Sequence, residues 1–268
     1  MKKILLIGFF RCCLFCLSIF LILVSNGHTK ETLRFSTSAQ LYDILQDEVM
    51  DQFTDKTGIE IKLHVSSSGA AINRLFNGLC DVAGTAERVS HTAVEYGYTE
   101  IPLCKAPLVV ISHPETSVND ISEAQLQGIF SGQITNWKAL GGKDGKIIVI
   151  VPGKETAAMK NFSLLALTRF DVKYDIMTYR SNMVVNVVSR IPESISFISK
   201  GSNARDAIAK ILKVNGYLHM DPAYPYFQNF SLVTKYKPGH AVSAFVEFMT
   251  SDWVKTVLIK SGIIPKRP

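Results

Sequence analysis

The sequence lacks the residue patterns that mark the common classes of enzyme. No serine lies in a nucleophile-elbow pattern, and no histidine accompanies a serine at catalytic spacing. The six histidines are scattered along the chain, without a pair at the spacing of metal ligands. These absences argue against a hydrolase and against a metalloenzyme, and we expect the protein to need no cofactor.

Acidic residues are absent from the first 27 positions, which hold three basic ones. An apolar run of 13 residues, from Cys12 to Val24, follows this basic start, whereas a helix needs about 20 to cross a bilayer. Ser25 and Gly27 then supply small residues at the spacing that a signal peptidase reads. We predict a signal peptide at residues 1–27, cleaved near Gly27, and a periplasmic or secreted protein. The alternative is an uncleaved anchor, which the lack of a second apolar span disfavours.

A strong charge of either sign is also missing. Without the three basic residues of the predicted signal, the chain carries 26 basic and 23 acidic side chains, a net charge of +3. Domains that bind nucleic acid usually show a basic stripe, so we expect no nucleic-acid partner. The 241 residues that remain are enough for a large core, and chains of this length often divide into two lobes. We expect a monomer.

Cysteine is scarce beyond the predicted signal, where only Cys80 and Cys104 remain. A pair of cysteines in an oxidising compartment often forms one disulfide. Two buried thiols can instead pack as small apolar side chains. The sequence leaves both alternatives open, since each cysteine adjoins a predicted strand.

Short apolar runs alternate with helical patterns along the chain, which is typical of an α/β architecture with largely parallel strands. The predicted strands cover residues 33–35, 59–65, 81–83, 107–112, 147–151, 195–198 and 230–234. The predicted helices cover residues 41–53, 70–76, 123–129, 157–167, 183–188, 204–212, 242–249 and 253–260, with a turn at 262–265. Gly58 is expected to end the first helix as a C-cap glycine.

The character of the sequence changes near residues 113 and 114. The order of elements fits a middle segment inserted between two halves of another domain. We therefore predict a first lobe formed by residues 28–112 and 223–268, and a second lobe formed by residues 113–222. Two strands would cross between the lobes.

Hydroxyl-bearing residues stand directly before three of the predicted helices. They lie at residues 36–38, at residues 66–68 before Gly69, and at Thr156. A helix start leaves backbone N–H groups unpaired and carries a partial positive charge. Any one of these residues is most often an ordinary N-cap. Several helix starts that face one cleft would form an anion site without a metal.

Several motifs, in this order along the chain, resemble those of phosphate-binding proteins of ABC importers. The most specific is IFSGQITNW at residues 129–137, followed by GG at 141–142, which is close to a signature of that family. Weaker matches are STSA at 36–39, SSGAAI at 67–72, GLCDV at 78–82, ISFI at 195–198 and the ending at 245–265. The similarity runs from about Leu33 to Pro265.

The resemblance implies a type II periplasmic-binding-protein fold. Such a fold has two lobes, each a mixed, mostly parallel sheet flanked by helices, and two crossing strands join them. The resemblance also implies that the protein captures phosphate or a related small oxyanion between its lobes and delivers it to the membrane permease of an ABC importer. A protein of this kind binds its ligand and is not an enzyme.

Carried over position by position, the resemblance implies a ligand site at the three helix starts. Thr37 and Ser67 match family residues that donate to the bound oxyanion. The full set of predicted ligand-binding residues is Ser36, Thr37, Ser38, Ser67, Ser68, Gly69, Thr156, Ala157 and Ala158.

Two positions depart from the family pattern. Pro152 stands where the family has an arginine, and Ala158 stands where it has a hydroxyl residue. A charge-assisted hydrogen bond from arginine contributes about 1.5–3 kcal/mol, or one to two decades of affinity. The candidates for a replacement positive charge are Arg88, Lys154 and Lys160.

Two other functions stay open. Because of these departures, the chain could be a sensing or interaction protein that keeps the fold but has lost phosphate transport. A secreted phosphatase on the same scaffold is less favoured, since no catalytic motif is present.

Overall fold

The structure is a computed structural model that describes residues 30–89, 91–167, 171–179, 183–200 and 208–266. Thr32–Pro268 forms one compact unit, and residues 1–31 form a separate unit of which only Lys30 and Glu31 are described. The predicted signal peptide lies outside the described residues. Within the described part of the chain, none of the helices has both the length and the apolar character that crossing a membrane requires.

The strands are numbered in chain order. They are β1 Thr32–Ser38, β2 Glu60–Ser66, β3 Val82–Thr85, β4 Tyr98–Ser112, β5 Asp120–Ile121, β6 Ile148–Pro152, β7 Ile176–Thr178, β8 Ser194–Ser199, β9 Lys210–Ile211, β10 Lys213–Val214, β11 Phe227–Lys235 and β12 Ile264–Pro265. Each strand predicted from the sequence corresponds to one of these.

The helices are numbered in the same way, apart from a short 3-10 helix at Trp137–Leu140. They are α1 Ala39–Thr57, α2 Ser68–Phe76, α3 His91–Glu95, α4 Glu123–Phe130, α5 Ala157–Leu165, α6 Met183–Val188, α7 His240–Met249 and α8 Asp252–Lys260. The predicted end of α1 is confirmed: Gly58 has a φ of 73°, the left-handed conformation that glycine adopts easily.

One mixed sheet runs through the compact unit in the order β2-β1-β3-β11-β4-β8-β6-β7. β1 is parallel to β2 and β3, and β6 is parallel to β7 and β8. β11 is antiparallel to both of its neighbours, β3 and β4. The sheet is therefore parallel toward both ends and antiparallel in the middle.

The long strand β4 is shared by the two lobes. Its residues up to Pro107 pair with β11, and its residues from Leu108 onward pair with β8. Just before β11, Tyr226 accepts a backbone hydrogen bond from Leu108 at 2.9 Å. The hydroxyl of Tyr224 donates to the Leu108 carbonyl at 2.6 Å, and burial raises the pKa of Tyr224. β4 and the segment that leads into β11 are thus the two connections between the lobes.

Each lobe has its own aromatic core. In the first lobe, the ring of Phe245 lies 5.0 Å from Phe35 and 5.2 Å from Phe53, measured between centroids. In the second lobe, Phe162 stacks on Phe197 with a centroid distance of 3.7 Å. The exact lobe borders at residues 112 and 222 stay a prediction.

The helix predicted at residues 204–212 is wrong for the part of this segment that the structure describes. Residues 204–207 lie outside the described residues, and Lys210–Ile211 is a strand that pairs antiparallel with β4. Ile211 and Leu212 pack into different apolar clusters, as neighbouring residues of an extended chain do. The turn predicted at residues 262–265 is confirmed at Gly262, which has a φ of 73°. The strand β12 follows directly, from Ile264.

Cys80 and Cys104 are both free and buried. Cys104 belongs to the cluster that also holds Val82, whereas Cys80 belongs to the cluster that holds Ala83. Successive residues of a strand face opposite sides of a sheet, so the two thiols lie on opposite faces. Of the two alternatives left open by the sequence, the structure has the buried thiols and not the disulfide.

Candidate ligand-binding site

A cavity of about 720 Å³ opens where the first turns of three helices meet. One side, which we call the first wall, consists of residues 38–40, residues 65–68 and Ala70. The other side, the second wall, consists of residues 153–157 and 177–179. The first wall belongs to the β1–α1 and β2–α2 connections, and the second wall to the β6–α5 connection and the end of β7.

The start of α1 contributes Ser38, the N-cap residue. Its hydroxyl oxygen accepts a hydrogen bond from the backbone N–H of Leu41 at 3.2 Å. The two amides before Leu41, those of Ala39 and Gln40, have no partner within the helix because a first turn lacks preceding carbonyls. They are donors at the first wall.

The start of α2 is arranged in the same way. The Ser67 hydroxyl accepts from the Ala70 amide at 3.2 Å, which leaves the amides of Ser68 and Gly69 without a partner inside the helix. The Ser68 hydroxyl accepts from the Ala86 amide at 3.0 Å. That bond ties the helix start to the loop after β3.

The start of α5 differs in how it uses its hydroxyl group. Thr156 accepts from the Met159 amide at 3.3 Å and donates to the Gly153 carbonyl at 2.7 Å. Its hydroxyl hydrogen is therefore already bonded within the second wall. What this helix start offers a ligand is the pair of backbone amides of Ala157 and Ala158.

The structure brings only some of the predicted ligand residues to the cavity. Those at the walls are Ser38, Ser67, Ser68, Thr156 and Ala157, together with Lys154. Of the described residues that were predicted, Ser36, Thr37, Gly69, Ala158 and Arg88 are not at the walls. Whether each of them contacts a ligand stays a prediction.

Thr37 has a clear reason to lie behind the wall. It is fully buried, and its hydroxyl packs against the backbone of Gly84 on the adjacent strand β3, where no side chain could fit. Ser36 is also fully buried, and its hydroxyl has no hydrogen-bond partner among the described residues. Both residues shape the strand end that presents Ser38.

Lys154 is the charged residue of the second wall whose charge is not offset by a close carboxylate among the described residues. Its side chain is exposed, and its ammonium nitrogen lies 5.9 Å from the ring centroid of Tyr174. Glu155 on the same wall lies 3.4 Å from the ammonium group of Lys160. The second wall therefore has one positive charge facing solvent at the mouth of the cavity.

Side chains of α5 link it directly to the loop after β3. The Asn161 amide donates to the Ala86 carbonyl at 3.1 Å, and the ammonium group of Lys160 lies 3.3 Å from the Glu87 carboxylate. Burial alone would lower the pKa of Lys160, but the carboxylates of Glu87 and Glu155 outweigh it and raise that pKa. These contacts join α5, which begins at the second wall, to the loop that the Ser68 hydroxyl ties to the first wall.

Sequence reasoning missed two glutamines. Gln40 lies in the first wall and Gln228 on β11; both are buried, and the Gln228 amide nitrogen donates to the Gln40 amide oxygen at 3.0 Å. A signal for Gln40 existed, because it follows the STSA motif within the first turn of α1. For Gln228 the sequence has no signal, because its contact depends on how β11 crosses the sheet.

A two-lobed mixed sheet with helix starts gathered at a cleft defines the class of type II periplasmic binding proteins. A model of the PBP superfamily domain matches residues 24–252. The chain therefore belongs to the PBP superfamily.

Proteins similar to this chain share most of its length. The phosphate-binding protein PstS of Borreliella burgdorferi is 25% identical over 256 residues, covering 89% of this chain and 91% of that relative. PstS of Bacillus subtilis is 26% identical over 158 residues, or 57% of this chain and 53% of that relative. Each of these relatives is named as a binding protein.

Solved structures share the fold. A substrate-binding protein of an ABC transporter from Clostridium perfringens, with bound phosphate, superposes with a TM-score of 0.78 at 20% identity, covering 88% of this chain and 100% of that one. An ABC-type phosphate transport receptor from Vibrio cholerae has a TM-score of 0.70 at 21% identity, with the same coverage. At these identities the likeness supports the fold and not the ligand.

Proposed function

We propose that the chain is an exported solute-binding protein that captures phosphate or a related small oxyanion between its lobes. It would deliver this ion, as a monomer, to the membrane permease of an ABC importer. The observation that carries the proposal is the cavity in which the starts of α1, α2 and α5 face one another. The relatives named as phosphate-binding proteins favour the same ligand.

The chemistry of the cavity suits a small anion. Three helix starts present unpaired N–H groups, and each carries a partial positive charge. Ser38, Ser67 and Ser68 add hydroxyl groups on the first wall. Because backbone donors do not depend on side-chain identity, this site persists although Pro152 and Ala158 remove an arginine and a hydroxyl group. We expect the anion to bind mainly through amides, with Lys154 adding charge at the mouth.

Closure of the lobes would complete the site. The ligand contacts both walls at once, so it stabilises the closed arrangement over an open one. Asn161 and Lys160 already contact the loop after β3. Those contacts would hold α5 close to the first wall when the ion is present. The protein would act by binding and release, without turnover.

Titration calorimetry of the exported protein with inorganic phosphate tests this proposal. We expect saturable heat with one site per chain, and no heat with chloride at matched ionic strength. Heat with molybdate or a small organic acid, but not with phosphate, would change the ligand within the class. No binding to any of these anions would overturn the proposal.

Pro152 and Ala158 favour a second candidate, a sensing or interaction protein that no longer serves transport. Such a protein would still close on its ligand. A transport assay in cells that depend on the importer separates the two functions. Loss of uptake when the gene is deleted supports transport, whereas unchanged uptake together with phosphate binding supports sensing.

A further inference from the structure

Two buried glutamine side chains meet beside the cavity and leave half of their hydrogen-bonding groups unused. Gln40 and Gln228 are 3% and 1% exposed. One bond joins them, from the Gln228 amide nitrogen to the Gln40 amide oxygen at 3.0 Å. The amide nitrogen of Gln40 and the amide oxygen of Gln228 have no hydrogen-bond partner among the described residues.

The number of unused groups does not depend on which way the two amides are placed. Each glutamine amide carries a donor end and an acceptor end, and the two ends can be exchanged by a flip. If both amides are flipped, the pair keeps one mutual bond. It then still has one unpaired donor and one unpaired acceptor.

The location of the pair distinguishes it from other buried polar groups. Gln40 is the second residue of α1, two positions after the N-cap Ser38, and lies in the first wall. Gln228 lies on β11, opposite Ala106 of β4, where the chain passes between the lobes. Buried amides that lack partners destabilise a fold, so a pair kept at a ligand cavity indicates a role there.

Both unpaired groups have almost no solvent-accessible surface in this structure, and Gln40 is the member of the pair that lines the cavity. We propose that the Gln40 amide turns toward the ligand when the anion binds and contacts it, while Gln228 supports Gln40 from β11. The amide offers an NH2 group or, when flipped, a carbonyl oxygen, which fits an acceptor oxygen or a hydroxyl group of the anion. Through the bond between Gln40 and Gln228, the contact also couples the ligand to β11. Ligand binding would thus affect the connection between the lobes. This inference rests on the proposed function.

The double variant Q40M/Q228M tests the pair. Methionine has nearly the same shape, so replacing both partners removes the unpaired groups without opening a hole. We expect the melting temperature without ligand to stay equal or rise, and the calorimetric Kd for inorganic phosphate to weaken at least tenfold. If the pair had only a structural role, the double variant would not weaken phosphate binding while the melting temperature stays equal or rises.

Gln127→Met is the matched control. Gln127 lies on α4 and does not line the cavity, and its amide donates to the Ala166 carbonyl at 3.2 Å. We expect this variant to lower the melting temperature and to leave the Kd for phosphate unchanged. Gln40→Glu is a second test if the double variant does not fold. It keeps an acceptor for Gln228 but replaces the donor, and it should also weaken phosphate binding at least tenfold.

The outcomes separate this inference from the proposed function. If the wild type and the folded variants bind phosphate equally well, an ordered water satisfies the pair; the inference is then overturned and the proposed function stands. If the wild type binds molybdate or a small organic acid instead of phosphate, the same variants are compared with that anion; if it binds none of these anions, both are overturned. Weaker binding in the variants, with the control unchanged, supports the inference.

Discussion

The two walls of the cavity are built on the same plan but differ in what they offer an anion. On the first wall, the hydroxyl groups of the N-cap residues Ser38 and Ser67 accept from the helix and make no other hydrogen bond among the described residues. On the second wall, the hydroxyl hydrogen of Thr156 is bonded to Gly153. An N-cap hydroxyl is therefore a potential ligand donor only when its hydrogen has no closer acceptor.

The difference also concerns charge. The second wall has lost the arginine that the family resemblance leads one to expect, since Pro152 ends β6. It keeps a single exposed cation at the cavity, Lys154, among the described residues. We infer that the first wall carries most of the anion affinity and that the second wall mainly closes over the ion.

The largest effect is expected from a negative charge at the first wall. Ser67→Asp keeps a good N-cap but places a carboxylate beside the anion. Like charges at about 4 Å cost on the order of 4 kcal/mol near a protein surface, so phosphate affinity should fall at least about 100-fold. The measurement is titration calorimetry, with circular dichroism to show that the variant is folded.

Thr156→Asp is the matched change on the second wall. We expect a loss of about tenfold, because this side chain is turned toward Gly153 and a carboxylate there is more distant from the ion. Equal losses from the two variants would contradict the ranking of the walls.

Removing the link between the walls should have an intermediate effect. In the double variant K160M/N161A the hydrogen bond to Ala86 and the ion pair with Glu87 are lost. The hydrogen bond contributes about 1 kcal/mol and the partly exposed ion pair a few tenths of a kcal/mol, so we expect phosphate affinity to weaken about five- to tenfold. Small-angle scattering should show a larger radius of gyration in saturating phosphate. Asn77→Ala, which removes a bond to Asn73 at the end of α2, should change neither quantity.

The exposed charge at the cavity mouth should contribute less. Surface charges usually contribute about 0.2–1 kcal/mol, so Lys154→Met should raise the Kd for phosphate about two- to fivefold. The effect should vanish in high salt, because exposed charges are screened. Lys143→Met, at an exposed position outside the cavity walls, is the control. A salt-independent loss in Lys154→Met would indicate a direct contact with the ion instead.

The smallest effects are expected on stability. Ser67→Ala and Thr156→Ala each remove an N-cap, which costs about 1 kcal/mol and lowers the melting temperature by about 2–4 °C in a chain of this size. Thr156→Ala also loses the bond to Gly153 and should be the less stable of the two by calorimetry. Without ligand, the variants of the two walls should thus differ little in melting temperature. The difference between the walls should appear in the affinity for phosphate.

Local rules explain which parts of this fold could be predicted from the sequence. Apolar periodicity located the strands, and Gly58 marked the end of α1 because glycine alone adopts a positive φ without strain. The helix expected at residues 204–212 was wrong where Lys210–Ile211 is concerned. There, tertiary pairing with β4 overrides a pattern that is too short to separate a helix from a strand.

The candidate site was only partly predictable for a similar reason. A hydroxyl residue before a helix predicts an N-cap, and Ser38, Ser67 and Thr156 all have that role. Which hydroxyl groups face the cavity depends on neighbouring strands: Gly84 on β3 makes room for Thr37 behind the wall. The pairing of Gln40 with Gln228 joins residues far apart in sequence, so no local pattern could reveal it.

The most direct test of an anion site built from helix starts is a crystal structure of residues 28–268, without the predicted signal peptide, grown in phosphate. We expect one tetrahedral ion between the two walls, within hydrogen-bond distance of the backbone amides at the starts of α2 and α5. An ion bound elsewhere, or an ion held by side chains alone while these amides face away from it, would contradict this expectation.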